Sequence, residues 1–307
     1  MSFPDDILSK NRKNQQKVSI WHYTGFVFTP LGVTSPDPWN AMLTLASFFE
    51  NVRLPTISAV AHALIATLDN DDVSTRTVAA IIGRDPALTA KLLRLANSAR
   101  FGASRAVASL DEAITLIGIA QLRTLALAAC FADAFPRLPG LDSNEFWQSS
   151  RACAGYARWL AKGAGVDANE AWLAGMILRL GELLIYQVEP RVFAEIEQLP
   201  HLPGARWERE QKLLGMSEGQ ITAELARRWN FPERIVTALA RASAPHEAPR
   251  FCRHAGVVHL ASLLADTPED DPAVLDTLPA DTVAALGLDM DWLRARFPTH
   301  DSFAAIG

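Results

Sequence analysis

Ile82-Gly-Arg-Asp-Pro-Ala-Leu-Thr-Ala-Lys-Leu-Leu-Arg-Leu-Ala-Asn-Ser98 reads as a helix with both of its ends marked. Asp85-Pro86 supplies an N-cap and a first-turn proline, whose fixed φ and missing N–H suit that position. Leu88, Leu92, Leu95 and Ala96 recur at helical spacing and define one apolar face. Asn97-Ser98 ends the repeat. Ser109-Leu-Asp-Glu112 then reads as a capping box, in which serine and glutamate side chains satisfy the free N–H groups of a first turn. Ala113, Ile114 and Ile117 face inward after it, and Gly118 closes the segment.

The same period extends both ways from this stretch. Upstream, Ser74 caps a helix carrying Val78, Ile81 and Ile82, and Ile57, Val60, Ala61, Leu64, Ile65 and Leu68 repeat the pattern. Asp37-Pro38 opens a segment through Trp39, Met42, Leu43, Ala46 and Phe49. Downstream, a helix runs through Leu122, Ala126 and Ala129, and Asp142 or Ser143 caps a long one through Phe146, Ala154, Ala157 and Leu160. Asn169 to Gln187 reads as one uninterrupted helix. Shorter ones follow at 191–199, 205–214 and 217–229, the last opened by a Ser217/Gln220 capping box, and Pro232 starts another. Helical patterns at 251–265, 280–286 and 289–296 complete the chain. There is no alternation of strand and helix patterns, so the expected fold is all-α.

Residues 1–38 stand apart as an arm. They are polar and aperiodic to Lys17, then β-branched and aromatic from Val18 to Phe28, a composition suited to a short hairpin. Trp21, Tyr23, Phe26 and Phe28 either pack on the helical body or await a partner. The Pro-containing stretch 244–249 marks a second boundary. Three segments are therefore expected: an arm at 1–38, a helical domain at 39–248 and a small helical extension at 249–307.

With 307 residues, 49% of them apolar and 21% charged, the chain can bury a full core without disulfides or metals. The net charge of −5 disfavours a protein devoted to gripping nucleic acid, although a local basic patch remains compatible. Cys130, Cys153 and Cys252 are scattered, which fits buried thiols in a reducing compartment. The apolar stretch Leu116 to Phe131 is too short to span a membrane and is interrupted by Gln121 and Arg123, and no leader-like segment opens the chain. A soluble, cytoplasmic protein is expected. No dinucleotide fingerprint, P-loop, zincin or nucleophile-elbow motif is present. His254 and His259 are five apart, a poor fit to one helical face.

The residues Leu54-Pro-Thr-Ile, the stretch 82–98 quoted above, Phe101-Gly, and Leu110-Asp-Glu-Ala-Ile-Thr-Leu-Ile-Gly118 together resemble the HDOD family. These are the HD-related output domains of bacterial signalling proteins. The resemblance continues through Phe146-Trp147, Ala171-Trp-Leu-Ala-Gly175, Leu225, Trp229 and Phe231-Pro232, covering roughly residues 40–246. It implies a multi-helix HD-like bundle and kinship with metal-dependent phosphohydrolases, whose His and Asp ligands hold ions that activate water. Carried over by position, the first histidine falls near Ser149 and the His-Asp pair on Leu178-Arg179. The later histidines fall near Glu218 and around Ala242-Ser243, and the closing aspartate near Ser262. None of these offers the ligand set.

The resemblance therefore implies a module with no catalytic residues, metal or cofactor, acting through contacts with other signalling proteins. It leaves room for a homodimer. Two alternatives stand beside it: a divergent phosphohydrolase, and a nucleotide or cyclic-dinucleotide sensor. The sensor would use Asn97, Arg100, Arg105 and Arg123, with Arg94 nearby, to fork the oxygens of a phosphate-bearing ligand or acidic partner. In the plainer reading, Asn97 and Ser98 end a helix, Phe101 fills a gap and Gly102 turns the chain. Arg179 likewise has two readings. It either snorkels at a helix rim, or replaces the lost metal charge and closes the old site with Glu182 or Glu218.

Overall fold

Local caps decide where most of the helices begin. In the computed structural model, Ser58, Ser74, Asp85, Ser109, Asp142, Asp167 and Ser217 each accept a hydrogen bond from a first-turn N–H, as their side chains are suited to do. The structure describes residues 44–303 except 71, 99, 100, 104, 136, 137, 140, 199–201, 248, 249, 268–270 and 299–302. The expected arm, with Trp21, Tyr23, Phe26 and Phe28, lies outside the described residues, as does the start expected at Asp37-Pro38.

All regular structure among the described residues is helical. The first six helices are α1 (Leu45–Glu50), α2 (Ala59–Ile65), α3 (Thr75–Ile82), α4 (Pro86–Ala96), α5 (Leu110–Ile117) and α6 (Ile119–Ala134). Then come α7 (Ser143–Ala164), α8 (Ala168–Ile177), α9 (Leu180–Val188), α10 (Pro190–Glu197) and α11 (Ala205–Leu214). The chain continues with α12 (Glu218–Arg228), α13 (Glu233–Ala240), α14 (Arg253–Ala265), α15 (Ala280–Leu286) and α16 (Met290–Ala295). A 3-10 turn at Pro272–Thr277 precedes α15 and was not legible as a helix. The described residues all belong to one compact unit, residues 42–307.

The centre of that unit is α7, which packs along both α8 and α14. Small residues permit this. A side chain at Gly175 on α8 would meet the backbone of Cys153 and Ala154 on α7 at 3.0 Å. Helix α14 lies beyond the 244–249 boundary stretch, yet Val257, Val258, Leu260 and Leu264 are buried in the same core as α7. At the other end, Phe131 on α6 stacks on Trp229 at 5.4 Å, joining the first helices to α12.

Three expectations need correction. The helix read as continuous from Asn169 to Gln187 breaks at Leu178-Arg179 into α8 and α9. The Ser109 capping box is only half formed. Ser109 Oγ accepts from Glu112 N, but Glu112 Oε2 accepts from Ala108 N instead of the Ser109 N–H. The segment read as running through Trp39, Met42, Leu43, Ala46 and Phe49 has a helix start within it, at Leu45, because Thr44 is extended and forms a reciprocal cap with Ser47. Ala168–Val188, beyond the Leu116 to Phe131 stretch, is also long and apolar enough to cross a membrane, but 83% of its apolar window is buried inside the protein. Its apolarity is that of a core element.

Candidate functional site

The break between α8 and α9 is built by two residues of α12. Thr222 Oγ1 donates to the Leu178 carbonyl at 2.7 Å and accepts from Gly181 N at 2.7 Å, replacing helical hydrogen bonds that the break removes. Gly181 is required because any Cβ there would overlap the Glu218 carbonyl. Gly219 is equally confined, with Leu239 O 2.6 Å from where its Cβ would stand. These contacts press the start of α9 onto the start of α12. They leave Arg179 at the break itself, only 6% exposed and turned inward.

Arg179 enters a mostly buried cluster of charges, with Asp266 and Glu197 at its partly exposed rim. Its Nη1 lies 3.1 Å from Glu182 Oε1, its Nη2 pairs with Asp266 at the end of α14, and the same Nη2 reaches Ser262 Oγ at 3.5 Å. A second buried guanidinium, Arg206 on α11, sits beside it. Arg206 Nε is 2.8 Å from Glu210 Oε1, 3.4 Å from Glu182 Oε1 and 3.8 Å from Glu218 Oε2, while Nη1 pairs with Glu197. Trp207 Nε1 donates to Glu218 Oε1 at 3.0 Å, and Glu218 N donates to Glu210 Oε2 at 2.7 Å.

Burial and mutual charge set the protonation of this cluster. Burial acts to lower the Arg179 pKa, but Asp266 and Glu182 overcome it and hold the group well above its ordinary value. Glu182 feels burial too, yet Arg206 and Arg179 outweigh it and keep the carboxyl below the usual range. Burial pushes Glu210 up to about 7 against the pull of Arg206. Glu218 stands well above the usual range through burial, then through Glu182 and Glu210. The Cys153 thiol, raised by burial to about 12, is neutral.

A divalent ion does not fit this arrangement. Arg179 brings a cation where the HD comparison calls for a metal-binding aspartate, and both guanidinium groups already occupy the carboxylates. Among the described residues no group of three or more His, Cys, Asp or Glu is disposed to hold a metal ion. Two of the histidines have other partners. His259 Nδ1 donates to the Ala242 carbonyl at 2.8 Å and its ring stacks on Trp207, while His254 Nε2 lies 3.5 Å from Glu170 Oε2.

Of the positions carried over from HD enzymes, Arg179, Glu218 and Ser262 meet in this cluster, with Leu178 buried at the break. Ser243 adjoins them indirectly through Ser217, at 3.2 Å between hydroxyls. Ser149 is half-buried on α7. Arg206, Glu210 and Asp266 were not singled out from the sequence. Arg206 and Glu210 share a helical face with Trp207 and Leu214, and that spacing was the available signal.

The other candidate group does not gather into one site. Asn97 Nδ2 donates to the Leu93 and Val107 carbonyls, both at 2.8 Å, and Oδ1 accepts from Val107 N at 2.7 Å. Its amide therefore fastens the loop that follows α4. Arg123 Nη1 donates to the Thr67 carbonyl at 2.7 Å, tying α6 to the end of α2. Arg105 is exposed and pairs with Glu112 at 3.2 Å, beside a groove of about 410 Å³ lined by Val107, Asp111, Thr115 and Leu116. Arg94 is exposed, and Arg100 lies outside the described residues.

The fold and this cluster define an all-α bundle with two buried, ion-paired arginines beside the break between α8 and α9. A sequence model of the HDOD domain matches residues 54–245, more than half of the chain. The chain belongs to the HDOD domain family. Solved structures agree. One from Shewanella amazonensis SB2B, provisionally named a phosphohydrolase, is 28% identical with a TM-score of 0.69, over 85% of this chain and 95% of that one. An HDOD domain protein of unknown function from Geobacter sulfurreducens has a TM-score of 0.70 at 22% identity, over 85% and 95% of the two chains, and shows the shared fold. An uncharacterised protein of Treponema pallidum (strain Nichols) is 27% identical over 61% of this chain. The chain spans 37% of the length of that curated relative.

Proposed function

We propose that the protein is a non-catalytic regulatory module of bacterial signal transduction, working through contacts with other proteins. The observation that carries this reading is Arg179, buried and paired with Glu182 and Asp266 at the position where HD chemistry needs a metal ligand. A cation held there opposes the binding of a divalent ion and supplies neither a nucleophile nor a base.

The relative provisionally named a phosphohydrolase favours a second reading, phosphoester hydrolysis. One purified sample separates the two. Elemental analysis is expected to find no stoichiometric manganese, iron or zinc, and incubation with nucleotides and cyclic dinucleotides to give no turnover. Affinity capture from the source cell, followed by mass spectrometry, is expected to recover a signalling partner. Turnover of a phosphoester by a metal-loaded sample, with no captured partner, overturns the regulatory reading. The sensor reading gains nothing from Asn97 and Arg123, whose amide and Nη1 are bonded to backbone groups.

A further inference from the structure

The contacts around Arg206 have a consequence separate from any ligand. Five carboxyl groups, those of Glu182, Glu197, Glu210, Glu218 and Asp266, surround the two guanidinium groups of Arg179 and Arg206. Glu182, Glu210 and Glu218 are buried with the two arginines, so if all three were ionised the interior of the cluster would hold one more negative charge than positive, which burial penalises. Neither Cys153, a neutral thiol, nor His259, whose pKa burial lowers, offers a balancing charge. Glu218 Oε2 is buried and receives no hydrogen bond from another residue. A proton on that oxygen, donated toward the Glu182 carboxylate that faces it, satisfies both groups.

The helix that depends on these contacts is α11. Its inward face is Arg206, Trp207, Glu210 and Leu214, so half of the side chains that fasten it are ionisable. Gly204 and Gly215 bound it, both in the left-handed region at φ 77° and 73°, so the helix is joined to the chain at both ends by glycine turns. We propose that α11 is a proton-dependent latch, held on α9 and α12 while the Glu182–Glu210–Glu218 cluster keeps its protons and loosened as they leave.

The direction follows from linkage. Glu210 and Glu218 have folded-state values above those of an exposed glutamate, so the docked state holds protons that the undocked state has released. Docking is strongest near the ordinary glutamate range and weakens as pH rises from there to about 7, where the docked Glu210 also gives up its proton. Glu182, held low by Arg206 and Arg179, acts in the opposite sense only at acid pH.

Hydrogen exchange on the full chain tests this, corrected for the rise of intrinsic exchange with pH. Between about pH 5 and about pH 7.5, protection of α11 is expected to fall, by up to roughly tenfold per pH unit for each proton that the docked state holds and the undocked state has released. The central helix α7 should keep its protection. Glu218→Gln places an amide N–H where the carboxyl proton stood, so it should hold α11 docked at the upper pH and flatten the dependence. The wild-type pH series stands on its own if that variant fails to fold. Constant α11 protection across the range, or a folded E218Q protein with undiminished pH dependence, overturns the proposal.

Discussion

Arg179 shows what a single buried guanidinium demands of its surroundings. A guanidinium taken out of water is tolerated only with its partners in place, and here they come from the start of α9 and the end of α14. Arg179→Met removes the cation and leaves Glu182 and Asp266 facing each other. We expect a loss of about 3–5 kcal/mol, the cost of breaking a buried pair, read from chemical denaturation. Asn97 works differently, because its amide replaces backbone partners that the loop after α4 lacks. Asn97→Ala is expected to cost about 1–3 kcal/mol and to raise hydrogen exchange at Val107. The family motif ending at Asn97-Ser98 was visible in the sequence, but the bonds that its amide makes were not, since Val107 lies ten residues on.

Among the elements, the break between α8 and α9 departs most from the sequence reading. Nothing in Ala171 to Gln187 is a helix breaker at Leu178 or Arg179, so periodicity alone runs straight through. The break exists because Thr222, on another helix, satisfies the exposed Leu178 carbonyl and Gly181 N–H. Thr222→Val keeps the shape and removes both bonds. With two buried backbone groups stranded, a loss on the order of 3 kcal/mol is expected, measured by thermal or urea unfolding. Gly181→Ala should also destabilise, by about 1–3 kcal/mol or more, because its methyl group would drive α9 from the Glu218 carbonyl. Capped starts such as Ser74 and Asp85-Pro86 were legible because the partners of a cap lie within three residues.

Across the whole molecule, the core does not stop where the family match stops. The match ends at residue 245, but α14 lies along α7 and buries Val257, Val258, Leu260 and Leu264 almost completely. At about 1.5–3 kcal/mol for each such side chain, losing the four costs ~6–12 kcal/mol. That is comparable to the ~5–15 kcal/mol net stability of an ordinary domain. A chain ended at residue 248 is therefore expected to lose cooperative unfolding, and a sharp melting transition by circular dichroism would contradict this. Asp266 would go with α14, so the Arg179 cluster would lose a partner as well.

The sequence by itself determined the all-α class, most helix starts and the family, because caps, apolar period and a long ordered motif are properties of neighbouring residues. It also places Leu178-Arg179 where the resemblance to HD enzymes calls for a His-Asp pair. Only the tertiary structure decided what stands in its place. Arg206, Glu210 and Asp266 reach that position from helices distant in the chain, and a buried charge is explained only by the groups that surround it.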